Sequence, residues 1–227
     1  MNLKFQHFPI NLNSIIHCIK LVFANKSPIR IFHNYFLKNI EIGDKTIDLG
    51  CGYHSSYLNF LKKSNVKMFF ADQEKVIKDN YYIVDLEKNI DLPDNSFDTV
   101  ILFNVLEHIK NYKNLLSEIN RILKKDGKLE LFVPFMHRYH EDPKDIFRPT
   151  HFYLDKMLSE AGFETKTQLI GVGPFAVISE ILLKYFKFRI LKCFFLIIFL
   201  FLDRLLRFFS KDYNTYYNGI HCSCTKK

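Results

Sequence analysis

A chain of 227 residues and 27.1 kDa suits one large domain or a domain with an appendage, and is too short for two full domains. Hydrophobic residues make up 48% and charged residues 25%, the balance of a globular chain, which excludes a disordered one. The 32 Lys and Arg against 24 Asp and Glu leave a net charge of +8. That sign suits a phospholipid surface, a phosphorylated substrate or nucleic acid without choosing among them.

From the N-terminus, Met1 to Pro9 has no apolar run or small-residue cleavage site of the kind a secretory signal needs. Residues 12–24 place Ile15, Ile16, Ile19 and Val22 or Phe23 at amphipathic-helix spacing, with Asn13 or Ser14 to cap it. A short second helix is expected over 29–37, after Pro28. The first strong strand signal, 46–49, runs into Gly50-Cys51-Gly52. Then follow a helical stretch 54–63, strands at 67–71, 81–84 and 99–103, and a helix over 112–123. That helix aligns Leu115, Leu116, Ile119, Ile122 and Leu123 on one face, and Gly127 stands where a C-terminal cap belongs. A strand at 128–133 leads into a polar loop, 135–149. Thr150 is placed to cap a helix over 151–161, which Gly162 ends. A strand at 163–170, a long apolar and basic segment at 175–210 and a last strand at 220–225 complete the chain. Short apolar strands alternating with helices predict a doubly wound α/β fold, a parallel sheet covered on both faces. The two late strands around the insertion predict an antiparallel edge. The five cysteines (18, 51, 193, 222 and 224) contain no Cys-x-x-Cys pair and fit neither a disulfide framework nor a zinc knuckle. They predict a reduced, cytoplasmic chain.

In such a sheet ligands bind beyond the carboxyl ends of the strands, at the switch in strand order. The first strong strand ends Asp48-Leu49-Gly50-Cys51-Gly52, where glycine lets backbone N–H groups approach a ligand closely. The next ends in Asp72, about 20 residues on, placed to accept from ribose hydroxyls, and the third in Val84-Asp85-Leu86.

The runs TIDLGCG, LPDNSFDTVILFNVLEHI and LLSEINRILKKDGKLELFVP, in this order over about 44–170, resemble class I S-adenosylmethionine-dependent methyltransferases, most closely the type 11 group. The resemblance implies a Rossmann-like, mostly parallel seven-stranded sheet with an antiparallel C-terminal edge and a long helical insertion before the last strand. Its divisions would be an N-terminal helical cap (1–43), a methyltransferase core (44–174), a basic apolar helical insertion (175–212) and the final core strand (213–227). It implies S-adenosylmethionine as cofactor. Gly50 and Gly52, with Cys51 between them, would pass under its methionine and ribose. Asp48 would face its amino group or order the loop, and Asp72 would bind the ribose hydroxyls. Asp85 and Leu86 would border the adenine, and Asn104 and Val105 would line the methionine side. The family's further glycine is replaced here by Tyr53-His54, and Ser55 stands where a dinucleotide fingerprint needs glycine, which argues against nicotinamide binding. Asp98, Glu107 and His108 read as turn, capping or supporting groups.

The loop after the fifth strand carries His137, His140, Asp145 and Arg148, with His151 beyond. One reading is a solvated loop braced by an Asp145–Arg148 pair. The other has His140 as general base, with His137 and Asp145 beside it and Arg148 binding an anionic or sugar group. A metal site from His137, His140 and Asp145 fits by residue type, but the spacing does not support one. This stretch also resembles methyltransferases of surface-polysaccharide biosynthesis, which points to a small-molecule, glycan or lipid-linked acceptor. Between 181 and 211 stand seven Lys or Arg and one acid, Asp203, while 193–202 is uncharged. That run is too short to cross a bilayer. On a helix at about 100° per residue, Arg189, Lys192, Asp203, Arg204 and Arg207 share one side, opposite Phe, Leu and Ile. This is the layout of a helix lying at the inner face of a membrane; the alternatives are packing on the domain or on a second copy as a homodimer. The excess charge sits beside an apolar run and forms no groove with spaced aromatics, which argues against nucleic acid. The reading that competes with catalysis is a methyltransferase-like scaffold without cofactor, raised by Tyr53-His54.

Overall fold

The computed structural model describes residues 2–53, 55–74, 79–139 and 144–227. Among the described residues eight strands form one sheet: β1 (Asn2–Gln6), β2 (Lys45–Leu49), β3 (Lys67–Asp72), β4 (Tyr81–Ile83), β5 (Phe97–Phe103), β6 (Leu123–Pro134), β7 (Phe163–Val172) and β8 (Tyr217–Lys226). Their order is β1-β7-β8-β6-β5-β2-β3-β4. All neighbours are parallel except β8, which runs antiparallel to both β6 and β7. The doubly wound, mostly parallel sheet is therefore what the chain builds. The eighth strand is β1, within the segment expected to be a helical cap. It adds parallel to β7 as the outer rim, and Gln6 bonds Gln168 across the pair at 2.6 Å. Chain order reverses on either side of β2, which lies between β3 and β5, so the crevice opens at the tips of β2 and β5.

Alternate residues of the central strands face opposite layers. Val100 and Leu102 of β5 join the core under α3 (Tyr112–Ile122) and α4 (His151–Glu160). Ile101 and Phe103 join the other core, under α1 (Leu12–Phe23), α2 (Pro28–Phe36), α5 (Pro174–Leu182) and α6 (Arg189–Phe209). Burial on both sides is why these strands read as continuous apolar runs.

Several local expectations are corrected. The cap of α1 is Asn11, which accepts from the Ser14 N–H while Ser14 returns a bond to the Asn11 N–H, each at 2.9 Å. Its buried side is Ser14, His17, Cys18, Leu21 and Val22, whereas Ile16, Ile19 and Phe23 face out. The polar members can be buried because they are bonded: His17 Nε2 lies 3.0 Å from the Ile31 carbonyl. The stretch after Gly52 forms only a 3-10 turn, Ser56–Phe60, because the Tyr57 hydroxyl is drawn onto Asp48. Gly127 caps no helix. Helix α3 ends at Ile122 and Leu123 opens β6 at once. Gly127 lies in the bulge that separates the Phe97–Leu123 and Thr99–Lys128 pairs. Thr150 does cap α4, accepting from the Tyr153 N–H at 3.4 Å.

Candidate active site

The turn after β2 is built for close approach. Gly50 has φ +70° and Gly52 φ +55°, the left-handed region that favours glycine. A Cβ on Gly50 would stand 2.5 Å from Val105 Cγ2, whereas one on Gly52 would meet no atom within 4 Å, because it would project into open space. The turn is held from β3: the Gly50 N–H donates to the Ala71 carbonyl and the Gly52 N–H to Asp72 Oδ2, both at 2.8 Å.

Beyond this turn lies a cavity of about 850 Å³ at the tips of β2, β3 and β5, within the range of small-molecule sites. Gly50, Cys51, Gly52, Asp72, Leu86, Asn104 and Val105 all line it. Of the predicted cofactor set, Asp48 and Asp85 stand outside that wall. Asp48 is fully buried behind it and accepts from the Tyr57 hydroxyl at 2.7 and 2.8 Å, so it orders the loop through a side chain that does line the cavity. Burial, with Asp48 alongside, drives the Tyr57 hydroxyl well above its ordinary value and keeps it a donor. Asp85 turns to the Glu87 N–H, Gln73 and Lys88; the Glu87 bond is the first cause of its lowered pKa. Tyr53 does not fill the space: it is 62% exposed and donates to Glu74 Oε2. His54 lies outside the described residues.

The described members of the predicted catalytic set sit elsewhere. His140 lies outside the described residues. His137 Nδ1 stands 2.9 Å from Glu180 Oε1 of α5, while the other oxygen of Glu180 accepts from the Ile29 N–H. Arg148 pairs with Asp145 and donates to the carbonyls of Phe135, His137 and Arg138, so the two brace the loop. Neither His137, Asp145 nor Arg148 lines the cavity. Among the described residues no group of three or more His, Cys, Asp or Glu could hold a metal.

Another wall of the cavity comes from α2, which sequence reasoning left without a role. Arg30, His33 and Asn34, at i, i+3 and i+4, share its cavity face, with Lys26 just before the helix. Their helical spacing was visible in the sequence, but nothing there showed which side of α2 would meet the crevice. Behind the wall Glu107 is fully buried, and neither carboxylate oxygen has a hydrogen bond among the described residues. Burial pushes its pKa up to about 8.

A family model described as methyltransferase domain matches residues 23–168. An uncharacterized protein of Methanocaldococcus jannaschii is 35% identical over 97 residues, 38% of this chain and 39% of that protein. One of Haemophilus influenzae is 27% identical over 142 residues, 56% and 51% of the two chains. The chain thus matches only about half the length of these curated relatives or less. Among solved structures, an S-adenosylmethionine-dependent methyltransferase from Archaeoglobus fulgidus superposes with a TM-score of 0.53 at 18% identity, covering 92% of this chain and 94% of the other. Phosphoethanolamine N-methyltransferase 2 of Haemonchus contortus, solved with S-adenosylmethionine, gives 0.53 at 16%, covering 94% and 57%. The [4+2]-cyclase SpnF gives 0.55 at 16%, covering 92% and 80%. At such identities the structural likenesses show the fold, and SpnF shows that the fold alone does not choose the reaction. The family match spans well over half of the chain and contains both glycines, Asp72 and the tips of β4 and β5, so the chain belongs to the methyltransferase-domain family, on the fold of class I S-adenosylmethionine-dependent methyltransferases.

Proposed function

We propose that this chain binds S-adenosylmethionine in the cavity at the tips of β2 and β5 and transfers its methyl group to a small-molecule, glycan or lipid-linked acceptor entering beside α2. The observation that carries this reading is the open cradle at Gly52: a left-handed turn with vacant space where a side chain would stand, pinned by Asp72. The residues fit the cofactor. Gly50, Cys51 and Gly52 would form the floor, Asp72 would meet the ribose hydroxyls with its spare acceptor capacity, Leu86 would supply an apolar wall, and Asn104 and Val105 would close the methionine end; all of them line the cavity. When bound, the cofactor supplies an electrophilic methyl group on a sulfonium and leaves as a neutral thioether. The protein's share is to position the attacking atom and, for a protic acceptor, to take its proton. Lys26 and Arg30 on the acceptor side favour an acceptor that carries negative charge.

Calorimetric titration of the full chain with S-adenosylmethionine and with its demethylated product tests the reading. Saturable one-to-one heat is expected with both, lost when Asp72 is replaced by Ala. No heat with either ligand would leave a scaffold without catalysis.

A lipid-associated acceptor is supported by α6. That helix packs on the body through Cys193, Leu196, Leu200 and Asp203, and turns Ile190, Phe194, Phe201, Leu205 and Phe208 outward. Ile190 is 73% and Phe208 79% exposed, the reverse of an amphipathic helix that serves only the fold. Beside it, α1 exposes Leu12, Ile16, Ile19 and Phe23, and the two helices share a small cleft lined by Ile15, Cys18, Ile197 and Leu200. The charges flanking these stripes include Lys20, Lys184, Lys187, Arg189 and Arg204, all exposed and all positive. Among the described residues no helix is long and apolar enough to cross a membrane. Apolar residues ringed by cations fit an anionic phospholipid surface.

A further inference from the structure

The cavity wall is connected to a buried ionisable chain that the predicted site did not contain. His33 Nε2 lies 3.0 Å from His221 Nδ1, and His221 Nε2 lies 2.8 Å from Glu130 Oε2, which also accepts from Ser223 Oγ at 2.7 Å. The three members are 4%, 0% and 3% exposed. Strand register explains the line. Phe132 pairs with His221 and Glu130 with Ser223, so alternate residues of the adjacent strands β6 and β8 point together at α2. Phe132 then stacks on His33 at 3.8 Å between centroids and Phe103 meets it edge-on at 4.9 Å, fixing the ring at the tips of β5 and β6.

The geometry points to His33 as the general base of methyl transfer, with His221 and Glu130 as positioning residues that orient it and receive the proton's charge. This rests on the proposed methyl transfer and narrows the acceptor to one that must lose a proton, a hydroxyl in the first instance. The proposal assigns the protons along these contacts as follows. In the proposed arrangement Glu130 accepts from His221 Nε2–H, which leaves His221 Nδ1 bare to accept from His33 Nε2–H. That leaves the lone pair on His33 Nδ1, for which the described residues supply no partner, while His33 itself lines the cavity. When the acceptor's O–H breaks, its electron pair stays on the attacking oxygen and its proton joins Nδ1. The Nε2 proton passes to His221, and the positive charge comes to rest beside Glu130. The proton returns to water by the same route once product leaves.

The alternative is a network that serves only to join β8 to α2. Burial of a carboxylate and two imidazoles is costly for that purpose alone, and it would not require the outermost ring to line the cavity. Around His33 the ionisable neighbours are Arg30 on its own helix, His221 on β8 and Glu130 on β6. Burial first, then His221 and Arg30, hold its pKa well below the ordinary imidazole value, so the ring is neutral near pH 7.

Nitrogen-15 spectra of the labelled full chain at pH 7, with no ligand, read the tautomer. The expected result is a proton on His33 Nε2 and a bare Nδ1; a proton on Nδ1 overturns the proposal. In parallel, radiolabelled methyl transfer from S-adenosylmethionine to fractionated cell extract is compared across variants, with affinity for the demethylated cofactor measured by calorimetry. His33→Gln should lose about 10²- to 10⁴-fold in turnover at unchanged cofactor affinity. Glu130→Gln should lose less and move the acid limb of the pH profile to lower pH, which a merely structural contact would not do. Full turnover in His33→Gln, or an unmoved limb in Glu130→Gln, rejects the relay while the methyltransferase reading stands. Absent cofactor binding rejects that reading, and the tautomer remains legible without cofactor or acceptor.

Discussion

At the scale of single residues, the glycine turn and the acid that holds it were largely legible, and the α2 wall of the cavity was not. Gly50, Gly52 and Asp72 could be found because a strand tip needs a left-handed turn and an acid on the next strand, requirements local enough to leave a mark in sequence. His33 left no such mark, since its partner His221 is 188 positions away and only the sheet brings the two together. Glu107 was legible as a supporting group, but its burial without hydrogen bonds was not, and it has a measurable cost. With its pKa at about 8 in the fold against 4.5 in the free side chain, the unfolded chain sheds a proton that the folded chain keeps. The group therefore lowers stability progressively as pH rises from the unfolded value to the folded one, and the cost is greatest above the latter. Glu107→Gln should raise stability at pH 8 by a few kcal/mol, on the order expected for a shift of this size, with the gain vanishing toward pH 4. Urea unfolding at the two pH values checks it, and a gain that does not change with pH would contradict the assignment.

Among the elements, propensity placed most helices and strands within a few residues, and it failed where side chains from distant segments took over. The stretch after Gly52 stays a short 3-10 turn because Tyr57 is anchored to Asp48. Helix α1 was given a partly wrong buried face because apolar spacing was equated with burial: the fold buries Ser14 and His17 beside the expected Val22 and leaves Ile16 and Phe23 outside. Asp203 is the most instructive case. Counted among the charged groups of α6, it turns inward and accepts from the Phe175 and Ala176 N–H groups at the start of α5, at 2.9 and 2.6 Å. Gly173 lacks a side chain to cap that helix, and a Cβ there would stand 2.6 Å from the Asp203 carboxyl carbon, so the acid of one helix caps the other. Asp203→Ala should cost about 1–2 kcal/mol, the usual value of a lost N-cap, read as a lower urea midpoint with an unchanged slope. A midpoint equal to that of the wild type would show that α5 does not depend on this bond.

For the molecule as a whole, the parallel core was legible from alternating short apolar strands and helices, whereas β1 was not, since its five residues carry too little pattern to separate a rim strand from a loop. The exposed stripes of α1 and α6 belong to this scale because neither helix alone presents the full surface. The full chain should float with vesicles of mixed zwitterionic and anionic phospholipid, and release as salt rises. Phe201→Glu together with Phe208→Glu should abolish flotation with the fold intact. A wild-type chain that stays with the soluble fraction, and that sedimentation shows to be a dimer broken by the same substitutions, would assign the surface to a second copy. Strand order carries one more consequence. Among the described residues the β1–β7 ribbon is hydrogen-bonded to the remainder of the sheet through β8 alone, which follows all the other strands in chain order. Until residues 217–226 arrive, β6 and β7 each wait with an open edge, and the nascent protein is most vulnerable to sticking to its neighbours. Because His221 rides on that same strand, completion of the sheet and arming of the proposed base would be one event, and a prematurely ended translation product would be unable to act on its acceptor.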